Sequence, residues 1–199
     1  MTPAESDDSS GGSDTRYAVV LDYLPHGRAD DDRPQYQKEP LAYALGETDF
    51  RLVELTFGDG ADAGIGDRVP IAPEEEREDA AVERIRDIEF DDLSNGARTE
   101  LEYVVEEVIE ANERRFVDFY NDAQPITLRL HQLNLLPGIG KKLRNNILDE
   151  RKRGPFESFE GLEERVSGLH RPKEVLVERI IEELRDDDLK YKAFVRREE

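Results

Sequence analysis

The residues Leu135-Leu136-Pro137-Gly138-Ile139-Gly140-Lys141-Lys142-Leu143 form a glycine-punctuated bend between two helix-like segments, with Arg144, Arg151, Lys152 and Arg153 close behind. Between 126 and 155 the bases are Arg129, Lys141, Lys142, Arg144, Arg151, Lys152 and Arg153 and the acids only Asp149 and Glu150, in a chain whose formal net charge is −20. Such a local reversal of sign suits an anion. Gly138 and Gly140 can take positive φ and carry no side chain, so their N–H groups can approach a phosphate oxygen closely. Lys141 opens the following helix, where unsatisfied N–H groups and the positive end of the helix dipole favour negative charge. Leu143, Ile147 and Leu148 share one side of that helix, which leaves Lys142, Arg144, Lys152 and Arg153 free to face a polyanion.

Positioning this bend takes two helices. Ile126, Leu130 and Leu133 have helical spacing after Pro125, so a short helix is expected before the turn, and Ile139 should be a buried plug between it and the next helix. A single Gly-x-Gly turn can equally be a plain connector. The surrounding sequence points further. Leu136-Pro137-Gly138-Ile139-Gly140 resembles the hairpin of a helix-hairpin-helix module. Arg151-Lys152-Arg153-Gly154-Pro155-Phe156 and the acidic segment 158–166 follow it as they do in tandem modules. Ser167-Gly168-Leu169-His170 then stands in register with Pro137-Gly138-Ile139-Gly140. The resemblance implies a tandem helix-hairpin-helix domain. In it the backbone N–H groups of Gly138, Gly140, Lys142 and Leu143 bind phosphates without reading bases. It also implies a monovalent cation, K+, on the carbonyls of Asn134, Leu136 and Ile139. In the second copy His170 replaces a glycine and Pro172 removes a donor, so that hairpin is expected to be mainly structural, with Arg171 and Lys173 as auxiliary contacts.

Composition sets the surroundings. There is no Cys, hence no disulfide framework or thiolate metal site, and no apolar run long enough for a membrane span or signal peptide, so a cytoplasmic protein is expected. Forty-eight acids against 28 bases would ordinarily argue against a polyanion partner. Clusters such as Asp30-Asp31-Asp32 and Glu74-Glu75-Glu76 instead suggest a halophilic source, where the Debye length shrinks to about 3 Å at 1 M salt and acidity reports the solvent. At such salt, counterion release weakens and directional N–H contacts gain weight.

Along the chain, 1–15 reads as a disordered acidic tail. Residues 16–90 read as a small OB-like β-barrel, with strands expected at 17–24, 41–45, 50–56 and 68–71 and one more within 82–90. Its stacking and contact candidates are Tyr17, Tyr23, Tyr36, Tyr43, Phe50 and Arg51. Most of these aromatics should be core, with Tyr36 the one expected to be exposed. In a helical connector at 91–124, Leu101, Val104, Val105, Val108, Ile109 and Phe116 make one apolar stripe. The tandem hairpin domain with its terminal tail fills 125–199. The fold class expected is α+β.

No catalytic constellation is legible. His26, His131 and His170 lack ligand spacing. Glycosylases that share the hairpin need a catalytic Asp in the region here spanning 156–162, which has none. The order of barrel, connector, Phe116-Val117-Asp118-Phe119-Tyr120-Asn121, hairpin and Tyr191-Lys192-Ala193-Phe194-Val195 resembles an archaeal family of uncharacterised proteins described as predicted RNA-binding. The expectation is a non-enzymatic RNA-binding protein, linked to translation or ribosome assembly and with a possible ribosomal partner. Sequence-independent duplex DNA binding and a protein-interaction adaptor are the alternatives.

Overall fold

The computed structural model describes residues 14–196; all but the last two residues of the expected tail at 1–15 lie outside the described residues, as does 197–199. Strands β1 (Arg16–Leu24), β2 (Leu41–Gly46), β3 (Leu52–Phe57), β4 (Arg68–Ala72) and β5 (Val82–Asp87) form one curled antiparallel sheet in the order β4-β1-β2-β3-β5. The runs of β1 and β2 are apolar at successive positions because both faces are covered. Ala18, Val20, Ala42, Ala44, Val53 and Leu55 line the inner face, where the alanines leave room for the curl. Val19, Leu21, Leu41, Tyr43 and Leu45 point to the helices. Leu21 is the extra residue of a bulge between the pairs Val20↔Ala44 and Asp22↔Tyr43, a local bend that strengthens the twist. Helix α1 (Glu74–Asp79), not foreseen from sequence, rests against both edge strands, β4 and β5.

Helix α2 (Asn95–Ala111) lies across β1 and β2. Its N-cap is Ser94, which accepts from Ala97 N–H and donates its hydroxyl to Asp22 at 2.5 Å, so the helix start is fastened to the sheet. Gly96 suits this close approach: a Cβ would meet Asp22 Oδ2 at 2.9 Å and push the carboxylate aside. The apolar stripe expected to be one helix is two. Asn112 breaks it with its side-chain amide on Val108 O, and α3 (Glu113–Asp122) turns Phe116, Val117 and Tyr120 into the core. Arg115 of α3 donates to the carbonyls of Glu47 and Thr48 in the β2–β3 turn.

The C-terminal half holds α4 (Lys141–Arg153), α5 (Phe159–Arg165) and α6 (Pro172–Arg185). Before α4 the expected helix at 126–133 does not form. Pro125 pairs with His131 across a tight loop, and only Gln132–Leu135 coils, as a short 3₁₀ turn. Thr127 decides this locally, because its hydroxyl accepts from Arg129 and Leu130 N–H and closes the chain on itself. Two bends then share one geometry. Ile139 N–H reaches Leu136 O at 3.2 Å beside Gly138 at φ +77°, and Leu169 N–H reaches Val166 O at 3.2 Å beside Gly168 at φ +90°. One continuous core joins the outer face of the sheet, α2 and α3, both bends and Phe194.

Candidate nucleic-acid interface

The first bend is open. Gly138 and Gly140 are exposed, and a Cβ built on either would meet nothing within 4 Å. Only Gly138 needs to be glycine for its backbone, since Gly140 sits at φ −85°, ψ −170°, a conformation any residue adopts. Gly140 is the N-cap of α4 and no side chain caps it. The first amide with a helical acceptor is Arg144 N–H, on Gly140 O at 2.9 Å, so the N–H groups of Lys141, Lys142 and Leu143 stand at the uncapped start. Ile139 is the buried plug, with Leu136 and Leu133 beneath it. Leu143 is half-buried and closes toward the second bend, its Cδ1 3.7 Å from where a Cβ of Gly168 would be.

Around this bend the cations lack acidic partners. Among the described residues Arg129, Lys141, Lys142 and Arg144 make no ion pair; Arg144 instead reaches the side-chain oxygens of Asn134, at 3.1 Å, and of Asn145. On the sheet the bases are matched: Arg28 and Arg86 meet Glu54, Arg84 meets Glu39, Arg33 meets Asp31 and Arg68 meets Glu47. The contrast leaves the bend locally positive in an otherwise acidic chain.

Several of the expected contact residues have partners within the chain. Arg151 is not turned outward; its Nη1 donates to Tyr120 O and Ala123 O at 3.1 and 3.0 Å and caps the end of α3. Lys173 is held at 2.7 Å by Glu106 and 2.6 Å by Glu110 of α2, and those hydrogen bonds push its pKa upward. Arg171 adopts φ +52°, pairs with Glu174 and is exposed. Lys152 and Arg153 are exposed as expected, in i,i+3 pairs with Asp149 and Glu150. Of the sheet candidates, Tyr43 and Phe50 are core, Tyr17 lies under Arg68, Tyr23 packs edge-on to Phe57, Arg51 pairs with Asp87, and Tyr36 is 84 % exposed.

The side chain of Asn134 is the feature that the sequence reading missed, having named only its carbonyl. Its Oδ1 accepts His131 N–H and Arg144 Nη1, both at 3.1 Å, and its amide donates to Ile139 O at 3.1 Å. The loop before the bend, the bend and α4 are thereby tied at one residue. His131 Nδ1 accepts Leu133 N–H, which requires the neutral imidazole; burial first, then the nearby Arg151 and Arg144, hold its pKa below the ordinary value. Of the carbonyls expected to hold K+, those of Asn134, Leu136 and Ile139, two already carry an internal hydrogen bond. Leu136 O already accepts Ile139 N–H, Ile139 O accepts the Asn134 amide, and a permanent cation, Arg144, sits on the same asparagine. Each carbonyl oxygen keeps a second lone pair beside its hydrogen bond.

Comparison with known proteins agrees with this architecture over nearly the whole chain. The uncharacterized protein MJ0038 of Methanocaldococcus jannaschii is 41 % identical over 181 residues, covering 90 % of this chain and 79 % of that protein. The crystal structure of Af1531 from Archaeoglobus fulgidus superposes with a TM-score of 0.82 at 44 % identity, covering 91 % of this chain and 99 % of the other. The family model described as "Protein of unknown function (DUF655)" matches residues 14–196, and the chain belongs to that family.

Proposed function

We propose that this protein is a non-enzymatic nucleic-acid-binding protein that grips a phosphate backbone, RNA in preference, at the bend 137–144. One observation carries the reading: an uncapped helix start behind two exposed glycines, flanked by four bases with no acidic partner among the described residues, in a chain of net charge −20. Backbone amides and a helix N-terminus are directional donors to phosphate, and they keep their value at salt that screens side-chain charge.

The paired bends support a tandem helix-hairpin-helix reading of 125–199, with the short 3₁₀ turn and α5 as the leading helices. The second bend serves as scaffold in this reading. α4 starts three residues after Gly138 but α6 starts four after Gly168, and Pro172 at its first position brings no N–H. The strand order β4-β1-β2-β3-β5 supports an OB-like reading of the sheet, a Greek-key barrel left open between β4 and β5 where α1 rests.

Competition against a labelled single-stranded RNA in molar potassium chloride tests the function. Unlabelled single-stranded RNA should displace it best, and duplex RNA and duplex DNA less well. Displacement led by duplex DNA would shift the reading to the duplex alternative. Failure of every nucleic acid to compete overturns it and leaves the adaptor role.

A further inference from the structure

Just before the bend, the chain makes a protrusion with no packing function. In the loop 125–131, Leu128 is fully exposed, at 107 % relative accessibility, on a backbone that is anything but loose. Ile126 and Thr127 N–H both donate to Leu130 O, Thr127 Oγ1 accepts Arg129 and Leu130 N–H, and Gln124 and Gln132 exchange two hydrogen bonds beneath the Pro125↔His131 pair. The guanidinium of Arg129, next to Leu128, has no partner among the described residues. The base of the loop is fixed to the bend, because Asn134 holds His131 N–H, Ile139 O and Arg144 together.

We infer that this loop is a wedge: Leu128 enters between two neighbouring bases while Arg129 lies against the flanking phosphates. The inference rests on the bend being a phosphate grip, and it narrows the ligand to RNA with a step that opens easily, such as a bulge or an unpaired stretch. An apolar side chain in water gains by burial between base faces, and a stiff loop keeps that gain from being lost to ordering on binding. Apolar wedges of this kind open a base step and hold it open, at least cost where the stack is already broken.

The test uses the full chain and two RNA hairpins that differ by one bulged nucleotide, with 2-aminopurine beside the bulge site. Wild-type protein should raise the 2-aminopurine fluorescence of the bulged RNA and bind it about tenfold more tightly than the continuous hairpin. Leu128→Ser, whose unfolding midpoint should match the wild type because the side chain touches nothing, should lose both the rise and the preference while still binding the continuous hairpin. Gly140→Val should weaken binding to both RNAs alike. A Leu128→Ser protein that keeps the full rise and preference overturns the wedge and leaves the grip standing. Wild-type protein that binds the single strand but neither hairpin overturns the wedge alone, and protein that binds none of the three overturns the grip and the wedge with it.

Discussion

Glu183→Ala should destabilise the fold by about 3–5 kcal/mol, the range for removing one partner of a buried ion pair. The Glu183 side chain is 0 % exposed. It accepts from Arg179 Nε at 2.9 Å and from the backbone N–H groups of Ala193, Phe194 and Val195 at 2.7, 2.9 and 2.9 Å. Arg179 in turn donates to Tyr191 O, so one carboxylate and one guanidinium of α6 hold the terminal segment down. Phe194 is thereby seated against Phe119, at 4.8 Å between ring centroids, and Phe116 at 6.3 Å. Alanine leaves the buried guanidinium with only the half-exposed carboxylate of Glu182, orphans three amides and releases that ring. Glu183→Gln keeps one acceptor oxygen but turns an amide donor toward backbone donors, so it should fall between. Denaturant unfolding of the full chain in molar potassium chloride measures both. A loss below about 1 kcal/mol for alanine would mean the pair behaves like a surface one, contrary to its burial.

Changing Lys141, Lys142 and Arg144 together to Gln should lower RNA affinity about a hundredfold, taking charged hydrogen bonds at about 1.5 kcal/mol each with Arg144 partly committed to Asn134. The slope of log affinity against log salt should flatten by about two units for a single strand, since fewer counterions are released. The two glycines divide the remaining question. Gly138→Val forces a β-branched residue to φ +77° and should injure the fold, so lost binding there says little. Gly140→Val adopts its φ and ψ without strain and its Cβ meets no neighbour, so it should cost no more than about 1 kcal/mol of stability as a poorer N-cap. It should nevertheless weaken RNA binding about tenfold by filling the approach to the amides, a loss seen by anisotropy titration. Unchanged affinity in both the triple variant and Gly140→Val would mean that RNA meets another face.

A residue's role is legible in the sequence when its partner lies near it along the chain. Four of the five strands are legible because short apolar runs between turns have few other uses, and the exposure of Tyr36 follows from its polar surroundings. The bend is legible for the same local reason: Pro-Gly-x-Gly fixes its backbone and Lys141 its helix start. Distant partners defeat the reading elsewhere. Arg151 looks like a free cation until α3 ends beside it, and Lys173 until α2 brings Glu106 and Glu110 within 2.7 Å. The spacing of Ile126, Leu130 and Leu133 imitates a helix, but Thr127 closes a loop first. Arg179 and Glu183 do leave a trace, as an i,i+4 pair among Leu176, Ile180 and Leu184, where solvent-facing charges would not be expected.

Backbone amides are the core of the proposal, and they can be watched one at a time. In a ¹⁵N-labelled full chain titrated with single-stranded RNA in molar potassium chloride, the amide resonances of Gly138, Gly140, Lys141 and Lys142 should move together and saturate, and Gly140→Val should suppress the response. RNA that binds while those four resonances stay fixed, with the shifts gathered on the sheet instead, would contradict the account.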